Sequence, residues 1–463
     1  MLTSAENKPE ALTKQRVSAQ RSAARKSSAR TTFLAESRLK GSQFSGGIVQ
    51  VALTIVGSGT PLRTTARILK WLLPLLGLGS RSPCYHTLRL WLLRVGLQQL
   101  QRPLEGADDW VWIVDHTQQV GAQKVFLILG LRLVEWTGAE PLQHHDVQLL
   151  ALEPVTTSTG EVVCEQFAQL AAKLGVPRCV VSDNGPDLRC GVRLFREQHP
   201  QVAWVYDIKH RCAILLKQEL EKDERWGQFT AAVNRSKQQC SVTNLAVLLP
   251  PSQRGKARYL NLQELLAWSV KMLTVLDDPQ LLKNTGVEPA DCERRFGWLR
   301  DYRDVVQAWA AAMRVIELTE SHVRRHGVYR GVDALLRPLL DAAATGGPSR
   351  RLKDQLLQHL AEQALQAHGD EHLPASSEVI ESLFGKYKHL QGEQGHHGLT
   401  SLILSLGTLL ARDLPAAISA ALPTVSTSDL FRWCRQSLGN TLQACRQHLA
   451  QNLRRLKPSP QPS

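Results

Sequence analysis

The residues of this chain best suited to chemistry are three carboxylates in distinct local settings, Asp115, Asp183 and Glu381. Asp115 ends the apolar run Trp110-Val111-Trp112-Ile113-Val114. Asp183 ends Arg178-Cys179-Val180-Val181-Ser182, just ahead of a turn at Asn184-Gly185-Pro186. Glu381 lies in the helix-patterned stretch from Ser377 to Lys388. Short apolar runs bounded by turn residues predict strands, so both aspartates are expected at strand ends, where side chains converge. Mg²⁺ takes oxygen ligands in tight octahedral geometry. Two such ions can clamp the attacking and leaving oxygens of an in-line phosphoryl displacement. A single strand-end Asp is an ordinary turn residue and a single helical Glu an ordinary solvated one, so it is the joint pattern that carries weight.

Positioning these groups requires a mixed α/β layer. Strands are predicted at Trp110–Asp115, Gln123–Leu133, Val147–Pro154, Arg178–Ser182 and Val202–Tyr206, with a helix from Glu161 to Leu174 stopped by Gly175. The 68 residues between Asp115 and Asp183 suffice for hairpins and a crossover that bring the two to neighbouring strands. From Ala213 to about His372 the pattern is almost wholly helical, with Leu262–Leu276, Cys292–Arg325 and Arg351–His368 as examples, broken at Pro250-Pro251, Asp277-Asp278-Pro279 and Gly346-Gly347-Pro348. Glu381 follows this block, 198 residues beyond Asp183. Two more helices are expected after it, Gly398–Ala411 and Ser428–Leu456, and then a disordered Pro/Ser tail.

Charge is segregated along the chain. The net charge is +14, yet residues 1–100 alone carry 15 Lys/Arg against 3 acids, and no Asp or Glu occurs between Glu36 and Glu105. The segment from Ser428 onward carries a net +5, and removing both ends leaves −3 for residues 101–427. Basic ends around a slightly acidic middle fit polyanion binding at the ends and a cation-binding carboxylate cluster between them. No basic amphipathic helix with exposed Trp or Phe stands out to suggest a membrane surface. The longest apolar stretch, Trp71 to Leu78, contains Pro74 and is far short of the roughly 20 residues of a bilayer span. The nine cysteines include no Cys-x-x-Cys pair, which argues against a zinc ribbon and suits reduced thiols in a cytosol.

Residues 1–42 read as a flexible basic arm. Three short helices follow within 43–104: Ile48–Ile55, then one capped by Thr60 with Pro61 at its first position, then one from Ser82-Pro83 to Gly96. Tight Gly-containing turns between them outline a helix-turn-helix unit. Tyr85, His86 and Arg89, near the start of the third helix, are the candidate DNA contacts. The other account of this unit is a support domain with no DNA contact.

In Ile113-Val114-Asp115-His116-Thr117, Val181-Ser182-Asp183-Asn184-Gly185 and Ile380-Glu381-Ser382 followed by Lys388, the chain resembles the DDE transposases of bacterial insertion sequences. The resemblance covers most of residues 105–395 in order and layout. It implies a ribonuclease-H-like core at 105–212 and 374–425, interrupted by an all-α insertion at 213–373 and followed by a basic helix and tail at 426–463. It implies Asp115, Asp183 and Glu381 as catalytic, metal-holding acids for two Mg²⁺ (or Mn²⁺) ions. The reaction implied is strand cleavage at terminal inverted repeats and transfer to target DNA, in a homodimer at the nucleoid of a bacterial cytoplasm. Glu378 competes for the third position; Glu381 is preferred because Ile380, Leu383 and Phe384 form a stripe that docks its turn. Some family members share the Glu-x6-Lys spacing, which implies that Lys388 touches DNA near the cut. The Tyr and Arg that other members carry before the Glu are missing, since Ser377 stands four positions upstream. Asp207-Ile208-Lys209-His210 is similar to an Asp-x-x-His element of transposases with helical insertions, which implies that His210 lies near the scissile phosphate; a plain helix cap at Asp207 is the competing account. Two rivals use the same residues, a structure-specific nuclease and a non-catalytic DNA-binding protein. His144-His145-Asp146 reads as loop polarity, and Trp226, Trp268, Trp298 and Trp309 read chiefly as core, with base stacking as the alternative.

Overall fold

The computed structural model describes residues 43–75, 81–118, 124–252, 260–392, 399–438 and 442–455. The basic arm, the Gly77–Ser80 break and the Pro/Ser tail lie outside the described residues. The strands are β1 (Trp110–Gln118), β2 (Lys124–Arg132), β3 (Gln148–Val155), β4 (Cys179–Ser182) and β5 (Ala203–Tyr206). They form one mixed sheet in the order β3-β2-β1-β4-β5. β1, β2 and β3 are an antiparallel meander; β4 adds parallel to β1 and β5 parallel to β4. Parallel neighbours require crossovers, which the helices Gly160–Leu174 and Pro186–Gln198 supply.

Side chains alternate across a strand, and both faces of this sheet are covered. Trp112, Val114, Phe126, Ile128 and Val180 pack with Phe167 and Phe195 of the two crossover helices. Val111, Ile113, Leu127, Val181 and Val205 face the opposite way, into a core shared with the helical remainder of the chain. Burial on both faces is why β1 and β2 read as nearly unbroken apolar runs. It also corrects the position of the first acid: Asp115 does not end its strand, because β1 continues to Gln118 against β2.

The helical block comprises Ile208–Glu221, Arg225–Cys240, Leu260–Asp277, Pro289–Phe296, Arg303–His326, Val332–Ala343 and Gly347–Ala364. Arg303–His326 is its axis and touches the first, third, sixth and seventh of these. The single helix expected over Cys292–Arg325 is instead interrupted by a 3₁₀ segment, Gly297–Tyr302. The tighter turn places Phe296 and Leu299, three apart and both buried, on one side. The block closes over the free edge of β5. Trp204 N–H donates to Gln366 Oε1 and Gln366 Nε2 to Trp204 O, each at 2.6 Å, while Tyr206 N–H donates to Gln363 Oε1 at 3.0 Å. Two glutamines thereby satisfy backbone groups that would otherwise leave an open edge.

The N-terminal helices are Gly46–Gly57, Leu62–Leu75 and Tyr85–Gln101. The third does not stop at Gly96, where a helix end was expected. Gly96 is a crossing point: a Cβ there would lie 1.8 Å from Leu404 O. This helix buries Leu88, Trp91, Leu92, Leu93, Val95 and Leu97 against Ser405–Leu409, Leu414–Thr424 and Thr427–Leu438. Arg94 ties it further, donating from Nε to Val425 O and from Nη2 to Leu422 O at 2.6 Å each. One apolar core therefore runs from Ile48 through the sheet to Leu438. The helix expected at Gly398–Ala411 is reduced to a 3₁₀ turn, Ser401–Leu404, and the short helix Ser405–Leu409. The expected Ser428–Leu456 helix is two, Thr427–Leu438 and Leu442–Arg455. Leu414–Thr424 was not foreseen; Pro415 sits in its first turn, where a helix tolerates it, and Pro423 removes one intrahelical hydrogen bond just before the helix stops. Among the described residues no helix is long and apolar enough to cross a membrane.

Candidate active site

β1 and β4 bring the two aspartates together. Val114 pairs with Ser182 in parallel register, so Asp115 and Asp183 are the next residues on two hydrogen-bonded strands. By alternation both share the face of Ile113 and Val181, the face toward the helical block. Asp115 Oδ1 accepts the His116 N–H at 2.7 Å. Asp183 Oδ1 accepts the Gly185 N–H at 3.0 Å, an Asx turn that leads into the helix beginning at Pro186. Both carboxylates are half-buried.

Glu381 lies in the first turn of the helix Glu378–Gln391, which packs on β1 through the buried stripe that includes Ile380, Leu383 and Phe384. Its immediate partner is a cation from the chain itself. Lys209 Nζ, with only 4 % of its side chain exposed, lies 3.3 Å from both Glu381 Oε2 and Glu378 Oε1. Glu378 is also paired with Arg324 on the long helix of the block. Both candidates for the third acid therefore face basic side chains: Glu378 pairs with Lys209 and Arg324, and Glu381 with Lys209.

The turn after β5 links these parts. Asp207 is fully buried. Its Oδ1 accepts the His210 N–H at 2.7 Å, and its Oδ2 accepts from the Ser377 N–H at 2.5 Å and the Ser377 hydroxyl at 2.7 Å. Burial by itself raises its pKa, but the His210 ring, the Ser377 amide and the His210 amide together hold it below the ordinary carboxylate value. His210 Nδ1 is 3.4 Å from Asp207 Oδ1, and Nε2 on the far side of the ring is 3.6 Å from Asp183 Oδ2. Asp207, Lys209 and His210 therefore reach Ser377, the two glutamates and Asp183 respectively.

The donor chemistry of Asp115 and Asp183 fits a hard cation, since both offer carboxylate oxygens from adjacent strands. The full set is not assembled: among the described residues no three His, Cys, Asp or Glu side chains gather as a metal-holding group. Beside the aspartates, on the opposite face of β1, His116 Nε2 lies 3.1 Å from Ser158 Oγ, and its Nδ1 lies 3.8 Å from Asp187. Burial holds the His116 imidazole below its ordinary value, against the opposing charge of Asp187. Sequence reasoning passed over Lys209, Arg324 and Asp187. Lys209 sat in plain view between Asp207 and His210, but its reach depends on how a segment some 170 residues away returns.

Of the candidate DNA contacts, Lys388 is exposed in the last turn of the Glu381 helix. His86 is exposed, Tyr85 lies beneath the Arg63 guanidinium at 4.7 Å from its ring centre, and Arg89 donates to Ser401 Oγ at 2.5 Å, inward rather than outward. The more open basic surface is the preceding helix. Leu62–Leu75 exposes Arg63, Arg67 and Lys70 beside Trp71, which is 77 % accessible. That overturns the expectation that no basic helix would present an exposed aromatic; the pattern was hidden because Thr65 and Leu69 on its buried face lie between these residues. His144 bonds to Lys386 Nζ at 3.0 Å, and His145 pairs with Asp146. Trp226, Trp298 and Trp309 ring Phe229 in an aromatic core of the helical block, and Trp268 packs on Phe296.

No protein-family model matches this chain, and no curated protein matches it. Among solved structures, the chain is similar to the Drosophila P element transposase strand transfer complex, at 14 % identity and a TM-score of 0.38, over 80 % of this chain and 91 % of that one. A likeness that distant does not define an activity.

Proposed function

We propose that the chain is a DDE transposase of a bacterial insertion sequence, built on a ribonuclease-H-like core. In this role it binds the terminal inverted repeats of its element, cleaves a strand at each end and joins the freed 3′-hydroxyl to target DNA, acting as a homodimer. The register of β1 and β4 is the single observation that carries this: it sets Asp115 and Asp183 side by side, on the face where the helix bearing Glu381 packs on β1. Asp115, Asp183 and Glu381 are the residues that would hold two Mg²⁺ ions. When bound, such ions activate water and stabilise charge on the attacking and leaving oxygens. The chain's own contribution is placement. Asp115 and Asp183 are fixed by the sheet, Lys209 must release Glu381 as the set assembles, and His210 is oriented by Asp207 so that Nε2 faces the site. Lys388 and the exposed Arg63, Arg67 and Lys70 provide positive charge for the phosphate backbone.

The test uses purified full-length protein and labelled duplexes covering the DNA that flanks the coding sequence. The wild type is expected to cut these in Mg²⁺ and to join pre-cleaved ends to a plasmid. Asp183→Asn should lose about 10³-fold or more in cleavage while binding the duplexes nearly as well, because a metal-site carboxylate supplies several kcal/mol at the transition state. Undiminished cleavage by Asp183→Asn would sink the assignment, and cutting without joining would reduce it to a nuclease.

A further inference from the structure

We propose that Asp207 is the positioning residue for Glu381: it stitches the start of the Glu378–Gln391 helix to the end of β5 and thereby sets the third acid relative to the first two. The catalytic consequence rests on the transposase reading above; the structural stitch does not.

A residue that merely capped the helix Ile208–Glu221 would need one oxygen, directed at the His210 amide. Asp207 uses both, and none of it is exposed. Its second oxygen takes the amide and the hydroxyl of Ser377, the residue immediately before Glu378. Next to it, Ile208 N–H donates to Ala375 O at 2.9 Å. The chain is thus sewn at two successive residues to a segment 170 positions later, which is itself buried at Ala375, Ser376 and Ser377.

Two helix N-termini converge on this one carboxylate, which suits its negative charge. From Ser377 the path to Glu381 is a single turn: the Ile380 and Glu381 amides both donate to Ser377 O, at 2.9 and 3.4 Å. A helix moves as a body over so short a distance, so the position of Ser377 fixes that of Glu381. The other end of the same carboxylate holds His210, whose ring reaches Asp183. Asparagine is no substitute. It offers one acceptor oxygen and presents an NH₂ to groups that are themselves donors.

The experiment compares full-length wild type with Asp207→Asn and Ser377→Ala by hydrogen exchange and by cleavage of the flanking duplexes. In Asp207→Asn, amides of residues 378–384 should exchange about tenfold faster or more, the cost of roughly one lost hydrogen bond, with the 160–198 helices unchanged. Cleavage should fall about 100-fold with duplex binding unaltered, and half-maximal cleavage should need more Mn²⁺, an effect that a general loss of stability does not produce. Ser377→Ala keeps the Ser377 amide bond and should give a smaller change, about threefold in exchange, which also serves if Asp207→Asn fails to fold. Unchanged exchange of 378–384 in both variants, or wild-type cleavage by Asp207→Asn, overturns the proposal. If the wild type itself does not cut, the transposase reading fails, and exchange alone decides the stitch.

Discussion

Lys209→Met tests whether the buried ammonium is what balances the candidate third acid. Lys209 Nζ sits 3.3 Å from one oxygen of Glu381 and one of Glu378, whose side chains are 24 % and 32 % exposed. At an effective dielectric near 20, each contact is worth about 5 kcal/mol of gross Coulomb attraction. Most of that is offset by stripping water from Lys209 and by screening at the partly exposed glutamates. Removing one partner of a buried pair typically costs about 3–5 kcal/mol, because the other charge is left behind. Arg324 still neutralises Glu378 in the variant, so the lower end applies, about 3 kcal/mol. Urea unfolding followed by circular dichroism at neutral pH measures it, read at the first transition because a chain of this length need not unfold in one step. Glu381→Gln added to Lys209→Met should recover part of the loss, with a coupling of about 2 kcal/mol in the double-mutant cycle. Losing Lys209 also removes a positive charge 3.3 Å from a Glu381 oxygen, so Mn²⁺ binding by calorimetry should tighten about tenfold. A Lys209→Met loss under about 0.5 kcal/mol, with no coupling to Glu381, would refute the reasoning.

Two glycines should respond in opposite directions. Gly96→Ala gains about 1 kcal/mol of helix propensity, yet its methyl meets the Leu404 carbonyl, which is backbone and cannot rotate away; a net loss of about 2 kcal/mol or more is expected in thermal unfolding. Gly385→Ala, in the Glu381 helix with nothing within 4 Å of the new carbon, should stabilise by about 0.5–1 kcal/mol. His359 gives a pH dependence. Burial first, and then the charge of Arg211, hold its imidazole down to about 4 from an ordinary 6.5. The unfolded chain therefore binds the extra proton between those values, and stability falls as pH drops through that window. The His359 share is about 2 kcal/mol between pH 7.5 and 5, and His359→Gln should flatten the urea-midpoint profile by that amount.

The local layer of this structure was legible because its periodicities are strong. β1, β2 and β4 carry apolar runs that only a sheet covered on both faces would need, and Gly175 ends its helix where expected, with φ at +90°. What misled was punctuation. Gly96 reads as a stop and is a contact; the 3₁₀ turn at Gly297–Tyr302 has no breaker ahead of it beyond one glycine; Asp115 closes an apolar run but not its strand, since β2 pairs on as far as Gln118.

By itself the sequence determined that Asp115 and Asp183 close apolar runs with chain enough between them to reach neighbouring strands; the parallel register of β1 and β4, which sets the two acids side by side, was decided by the tertiary structure. The sequence also determined where positive charge would concentrate, since no acid interrupts residues 37–104. Only the tertiary structure decided the environment of Glu381. Lys209, Asp207 and Arg324 act on its helix from positions 57 to 174 residues away in the chain, and nothing local at 377–388 specifies such partners. It likewise turned Arg89 inward and left Arg67 and Trp71 outward, because which face of a helix is free depends on what packs against the other.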